Sequence, residues 1–446
     1  MDYRSLAEDV LATARRLGAD AADVLIAEGT DFSVTVRLGD VETLEDAGSK
    51  ALGLRVFIGQ RTANAYTSDF SRQALVRLVE EAVEMARASG EDAAAGLPEE
   101  FASDPALDLG LHDPQLLALP TPERIERARR AEAAARGASP LIVNSQGSTF
   151  GIGEDHILLA NTRGFMGSYR ATSASLSVVP VGQKDGQMER DYWYTSARQL
   201  DDLLAPEEVG RIAAERTLRR LGARQVATAE LPVVFDPEMS ASLLGDLFEG
   251  LSGYSVFRNA TFLKDRLGQQ VASPLLTIVD DGRRPRGLGA RPFDGEGCAT
   301  RRNVPLERGV LRCFLCDSYA ARKIGARPTG SASRGVSGGP GVGPGDLYIE
   351  AGALAPEEIV GSVEDGLYVT DLIGFGADLV SGDYSQGAAG HWIRNGKLAY
   401  PVHEITIAGN LADMLVDIDA VGNDLAFRGS TSAPTLRVRK MTISGS

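Results

Sequence analysis

Histidine and cysteine are scarce in this sequence, with four His and three Cys in 446 residues. An odd, sparse cysteine count excludes a disulfide framework and fits a reducing compartment. No apolar run approaches the roughly 18 residues that a membrane-spanning helix requires. The opening segment, Met1 to Asp9, is polar and acidic and lacks the positively charged stretch and apolar core of a signal peptide. A cytoplasmic protein without a membrane partner is therefore expected. Positive charge is also short: 46 Lys and Arg stand against 61 Asp and Glu, a formal net charge of -15. Such a surface repels nucleic acid, which rewards clustered Lys and Arg. Arg124, Arg127, Arg129 and Arg130 alternate with Glu123, Glu126 and Glu132, which is a salt-bridged helix face and no nucleic-acid patch.

The composition is otherwise ordinary for a globular protein, with 43% hydrophobic and 24% charged residues. The length predicts two or three domains. Residues 1–90 read as a small unit in which an amphipathic helix over 1–20 and a second helix over 71–89 flank antiparallel strands. Residues 91–120, rich in Ala, Gly, Asp and Pro, read as a linker. Residues 121–225 form a middle α/β unit, with helices over 121–136 and 205–221 around a run of short strands. From 229 to 446 the texture is strands separated by Gly-rich connections, and Asn395-Gly396 marks a hairpin. The expected class is α+β: an N-terminal helix–antiparallel sheet–helix region followed by a large β-rich C-terminal domain.

Motifs that carry chemistry are mostly incomplete. His403-Glu404 lacks the second His that a zinc protease helix places one turn later, and Ile405-Thr406-Ile407 is strand-like. Cys313 and Cys316 have CxxC spacing, and with Cys298 and a distant His they suggest a Cys3His site. Their apolar setting instead marks them as small core residues. The Gly-rich segment 335–345 leads into a strand with no Gly-Lys-Ser/Thr, so it is expected to be a mobile surface loop that could line a cleft. No Gly-x-Ser-x-Gly elbow is present.

A resemblance to the TldD/PmbA family is carried by residues 261–274, Thr277 to Asp281, Phe293-Asp294-Gly295-Glu296-Gly297 and Ser318 to Lys323. Ser381 to Gly390, Ile405 to Leu411 and Val421 to Asp424 add to it. In the TldD half of that family, a helical His-Glu-x-x-x-His motif holds zinc, and its Glu acts as general base toward a metal-bound water. A cysteine near the C-terminus completes the metal shell. Counted back from Gly268 to Pro274, the motif falls on residues 244–249: Leu244 and Glu249 replace the two His, and Gly245 replaces the Glu. The C-terminal cysteine is missing too. Asp236 as N-cap and Pro237 at the first position still predict a helix, with Met239, Leu243, Leu244, Leu247 and Leu251 near one face. Asp246 and Glu249 alone are a weak cation site.

The resemblance thus implies the metal-free PmbA (TldE) half of a heterodimeric zinc metallopeptidase, with no metal or cofactor in this chain and zinc in a TldD-like partner bearing His-Glu-x-x-x-His. It implies unfolded or extended peptides as substrates. Strand addition to a sheet edge is the expected binding mode, with Ser381, Gly382, Asp383, Tyr384, Ser385 and Gly387 and the 335–345 loop as candidates. The alternatives are a stand-alone homodimeric peptide-binding protein without hydrolytic activity and an independent hydrolase.

Overall fold

The structure is a computed structural model that describes residues 2–374 and 376–445; Met1, Phe375 and Ser446, and with them the two ends of the expected domain layout, lie outside the described residues. It is α+β, as expected.

The N-terminal half is built on one sheet. Its strands are β1 (Ala21–Arg37), β2 (Asp40–Ile58), β3 (Arg61–Thr67), β4 (Ile142–Asn161), β5 (Met166–Lys184), β6 (Gln187–Arg190) and β7 (Trp193–Ala197). They run in the order β3-β2-β1-β4-β5-β6, with β7 also on β5. The antiparallel ladder from Asp23–Asn161 to Val36–Ser148 joins β1 to β4. The units expected over 1–90 and 121–225 therefore share a single sheet. The short strands expected over 141–161 fuse into β4 because irregular pairing near Asn144 and Ser145 absorbs the breaks in alternation.

Two helix pairs cover one face of this sheet. Helices α1 (Tyr3–Arg16) and α2 (Arg72–Ala88) are started by the side chains of Asp2 and Ser71, which accept from first-turn amides. They bury Val24 and Ile26 of β1. Beyond a single turn, α3 (Pro114–Leu117), helices α4 (Thr121–Gly137) and α5 (Pro206–Arg220) bury Phe32, Val34 and Val36 of the same strand. Even-numbered positions share a face of a strand. Odd-numbered Leu25, with Leu159, faces the opposite way onto Phe165 and Phe293 and so seats the sheet on the C-terminal half.

That half begins with β8 (Ala229–Phe235), α6 (Pro237–Gly250), α7 (Gly253–Phe257), β9 (Ile278–Asp281), β10 (Arg302–Glu307) and β11 (Val310–Leu311). It continues with α8 (Ser318–Ile324), β12 (Ala332–Ser333), β13 (Gly341–Val342), β14 (Asp346–Ile349), α9 (Pro356–Gly361) and β15 (Asp365–Ile373). Its last elements are β16 (Asp383–Arg394), β17 (Lys397–Asn410), α10 (Leu411–Val416), β18 (Ile418–Val421), β19 (Thr431–Ser432) and β20 (Leu436–Ser444). Strands β17, β16, β15, β8 and β20 follow one another, and β17 pairs back onto β20, closing a five-stranded ring with β18 attached to β20. The hairpin expected at Asn395-Gly396 joins β16 to β17, and both residues take positive φ, 49° and 71°. A second sheet, β11-β10-β9-β14-β19, faces this ring across α6, which packs on β8, β14, β15 and β19.

Two sequence expectations need correction. The segment over 91–120 is no free linker but a strap packed along the seam between the halves. Arg322 of α8 donates to the carbonyls of Ala94, Gly96 and Leu97, while Tyr319 and Lys323 both reach Asp92 at 2.7 Å. Leu97, Leu109, Leu111, Leu116 and Leu119 are buried. Its Pro, Gly and Ala content prevents regular structure without preventing packing. The Gly-rich loop over 335–345 is likewise held: β12 pairs with β13, and Val336 lies against β2 so closely that any side chain at Gly53 would collide with its carbonyl. Among the described residues no helix is long and apolar enough to cross a membrane.

Candidate functional site

Helix α6 forms where expected. The Asp236 carboxylate accepts from the Met239 amide at 2.9 Å and pairs with Arg216 at 3.3 Å, and Pro237 occupies the first turn. Leu244 is 1% exposed and belongs to the main core with Phe235, Leu243, Leu247 and Phe248. Gly245 and Glu249 are exposed, and a Cβ at Gly245 would meet nothing within 4 Å. Five residues advance a helix by about 500°, so positions 244 and 249 are offset by roughly 140°. One points into the core and the other into solvent. Asp246 is half-buried. Burial raises its carboxyl above the usual range, its Oδ2 has no hydrogen-bond partner among the described residues, and its charge helps burial push the nearby Tyr384 phenol up.

A zinc ion does not fit this helix. The three motif positions supply a leucine, a glycine and one solvent-facing carboxylate. Among the described residues no three His, Cys, Asp or Glu converge on one point. The four histidines lie apart: His112 meets Glu154 at 3.0 Å, His156 lies beside the Tyr3 ring, His391 meets the Arg219 carbonyl at 3.1 Å, and His403 meets Glu189 at 3.4 Å. His403-Glu404 lies on β17, a strand. The cysteines are free, and Cys298 and Cys316 are buried. Burial pushes the thiol of Cys313 up to about 11 and that of Cys316 to about 12, where both stay protonated and pack as small apolar groups.

The candidate peptide segment is divided by the pleat. Ser381, Asp383 and Ser385 are exposed, Gly382 and Tyr384 are buried, and Gly387 lies between. The Tyr384 hydroxyl donates to Gln386 at 2.7 Å, and Ser381 donates to Asp383 at 2.9 Å. Strand addition is not open to this segment. β16 is paired along one side with β17, from Asp383–Asn410 onward, and along the other with β15 from Gly387–Ile373 onward; before that the Ser385 amide donates to the Gly376 carbonyl at 2.8 Å and the Asp378 amide to the Asp383 carbonyl at 2.8 Å. It is an interior strand of the ring, so only its side chains face outward.

The densest polar cluster lies elsewhere, at the seam. Asp23 of β1 and Arg55 of β2 pair at 2.5 Å, and Arg55 also reaches Glu296 at 3.3 Å. Glu296 accepts from both the amide and the hydroxyl of Ser318 at 2.8 Å, and Arg334 pairs with Asp23. The side chains of Glu296 and Arg334 are 0% exposed. Burial opposes ionisation of Asp23, yet Arg334 and Arg55 hold its carboxyl below the usual range. Next to it, burial and the Glu296 charge push Asp294 up to about 7 and Asp317 up to about 6. Asp317 caps α8 through the Ala320 amide and accepts from Tyr254 at 2.9 Å. Glu296 and Ser318 stood inside family-like motifs. Their partners Asp23 and Arg55 carried no signal of their own, because Arg55 and Glu296 are 241 residues apart.

The raised Asp317 carboxyl has a pH signature. The folded state holds its proton more tightly than the unfolded chain does. The resulting stability is full below about pH 4 and is lost as pH rises toward 6. Asp317→Asn keeps a capping side chain and removes this titration. The stability difference between the wild type and the variant should therefore drift against the wild type from pH 4 to 6 and level off above. Urea midpoints across that range check this, and a constant difference counts against a protonated Asp317.

Comparison with known proteins gives a consistent picture. The sequence family described as PmbA/TldA metallopeptidase matches in three parts: domain 1 over residues 22–86, the central domain over 114–221 and the C-terminal domain over 228–445. The chain is 38% identical over 446 residues to a metalloprotease PmbA of Escherichia coli O157:H7, covering 99% of this chain and 97% of that one. A crystal structure from Bacteroides thetaiotaomicron, 30% identical, superposes with a TM-score of 0.92 over 100% of both chains. The crystal structure of TldE from Thermococcus kodakarensis has the same fold, with a TM-score of 0.89 at 22% identity over 99% of this chain and 100% of that one.

Proposed function

Because the chain belongs to the PmbA/TldD metallopeptidase family, we propose that it is the non-metal-binding subunit of a TldD/TldE-type heterodimeric zinc metallopeptidase of the cytoplasm that acts on unfolded or extended peptides. The observation that carries this reading is Leu244, 1% exposed, at the position of the first zinc-binding His. A core leucine there is a packing residue, and the exposed Gly245 leaves no carboxylate to act as base. In this reading a TldD-like partner with an intact His-Glu-x-x-x-His motif supplies zinc and general base. This chain supplies an interface and part of the wall of the substrate cleft, with the outward side chains of Ser381, Asp383 and Ser385 as candidates for peptide contact.

The test is a mild affinity isolation of the full chain from its native cells, followed by peptidase assay of the recovered material and of this chain alone. A stoichiometric second chain with the intact motif is the expected result, with chelator-sensitive cleavage by the complex and none by this chain. Recovery of this chain alone, as a dimer that binds extended peptides without cutting them, would replace the subunit reading with the homodimeric peptide binder.

A further inference from the structure

Strand β2 is much longer than its neighbour on the outer side. β3 pairs only with Leu52 to Ile58, while β1 pairs with β2 from Asp40 to Phe57. Every residue from Asp40 to Lys50 is exposed. The outer row of backbone N–H and C=O groups over this stretch has no partner strand among the described residues, and such an edge is a template for one more strand. Proline, a common edge blocker, is absent from it. On the face shared with Val34 and Val36 it carries Leu44, 47% exposed, and Val41, 42% exposed.

We infer that the edge Asp40–Lys50 docks a strand of the zinc-bearing partner subunit, one that carries Lys or Arg. Charge selects the occupant. Asp40, Glu45 and Asp46 stand against Lys50, and Glu42 is met by Arg37 of β1 at 3.2 Å. Two copies paired across a two-fold centred on the segment would set Glu45 against Glu45 or Asp46 against Asp46 at the middle, which is destabilising, with a Lys50–Asp40 or Lys50–Glu42 pair at each end as the only offset. The acids and the bulge at Thr35–Val36 thus guard this edge against itself while matching a basic strand. A free peptide is the weaker occupant. With both faces of the segment exposed, it would gain backbone hydrogen bonds and no side-chain pocket. A strand within a folded partner brings its own sheet to cover Val41 and Leu44.

The inference rests on the heterodimer reading, and its test separates the two. Hydrogen exchange of amides 40–50 is measured in the full-length chain, alone and with the purified TldD-like subunit, together with the affinity of Glu45→Lys/Asp46→Lys. Both side chains are exposed and make no ion pair among the described residues, so the variant should fold. Slowed exchange over 40–50 only with the partner, and at least about tenfold weaker binding by the variant, are expected. Wild-type binding with unchanged exchange and an equally tight variant overturns the edge and leaves the subunit reading standing. Absence of wild-type binding overturns both. Protection of these amides in this chain alone that grows with its concentration assigns the edge to a second copy and overturns the inference.

Discussion

Arg55→Met should destabilise the folded chain by about 3–5 kcal/mol, the range for removing one partner of a buried ion pair. Methionine fills much of the same volume, so the loss is chiefly electrostatic. Asp23 keeps Arg334, but Glu296, whose side chain is 0% exposed, retains only the two hydrogen bonds from Ser318. Adding Glu296→Gln to Arg55→Met removes the stranded charge while keeping a side chain that can meet Ser318. The double variant should recover a substantial part of the loss. Urea unfolding of the three proteins decides it. An Arg55→Met midpoint equivalent to less than about 0.5 kcal/mol of change, the usual range for surface substitutions, would mean that the seam is held by apolar packing alone.

Rebuilding the zinc motif should fail and should cost stability. In Leu244→His/Gly245→Glu/Glu249→His, the first substitution puts an imidazole into the core among Phe235, Leu243 and Leu247. The lost burial and the unpaired ring nitrogens together are expected to cost about 2–5 kcal/mol. The new side chain at 249 starts from an exposed position and the one at 244 from a buried one, and the C-terminal cysteine that completes the TldD-type shell is missing, so the rebuilt motif lacks a full ligand set. No chelator-sensitive cleavage should appear at temperatures where the variant stays folded. Efficient, chelator-sensitive hydrolysis by the triple variant alone would sink the reading of this chain as a scaffold subunit.

These residues show what the sequence discloses and what it hides. Signals of short range were legible. Asp236 caps the helix that begins beside it, Asn395-Gly396 turns a hairpin, and the leucine stripe of α6 faces the core. Their physics involves only neighbours in the chain. Pairing at long range was not legible. The ladder between β1 and β4 crosses more than a hundred residues, and nothing local in Asp23 or Val36 marks it. Asp23 and Arg55 carried no mark of burial, because burial is a property of the assembled seam. The strap over 91–120 was misjudged because its composition forecasts irregular backbone, and irregular backbone can still be packed. Strand addition at Ser381–Gly390 failed for a similar reason, since an extended segment does not announce whether its two sides are taken.

The closed ring of the C-terminal half also constrains how the protein can be made. β8 begins at Ala229, but its partner β20 runs from Leu436 to Ser444. At ribosomal speeds of ~5–20 residues per second, β8 waits roughly 10–40 s for that strand to be synthesised. Through that interval the flank of β8 that awaits β20 is unpaired, joined near its end by that of β17, and the nascent chain carries the kind of bare strand flank that chaperones shield and that seeds aggregation. A ribosome stalled near codon 430 would release a species with a finished N-terminal sheet and an open C-terminal half. Quality control in the cell would be reading the last dozen residues of the ring.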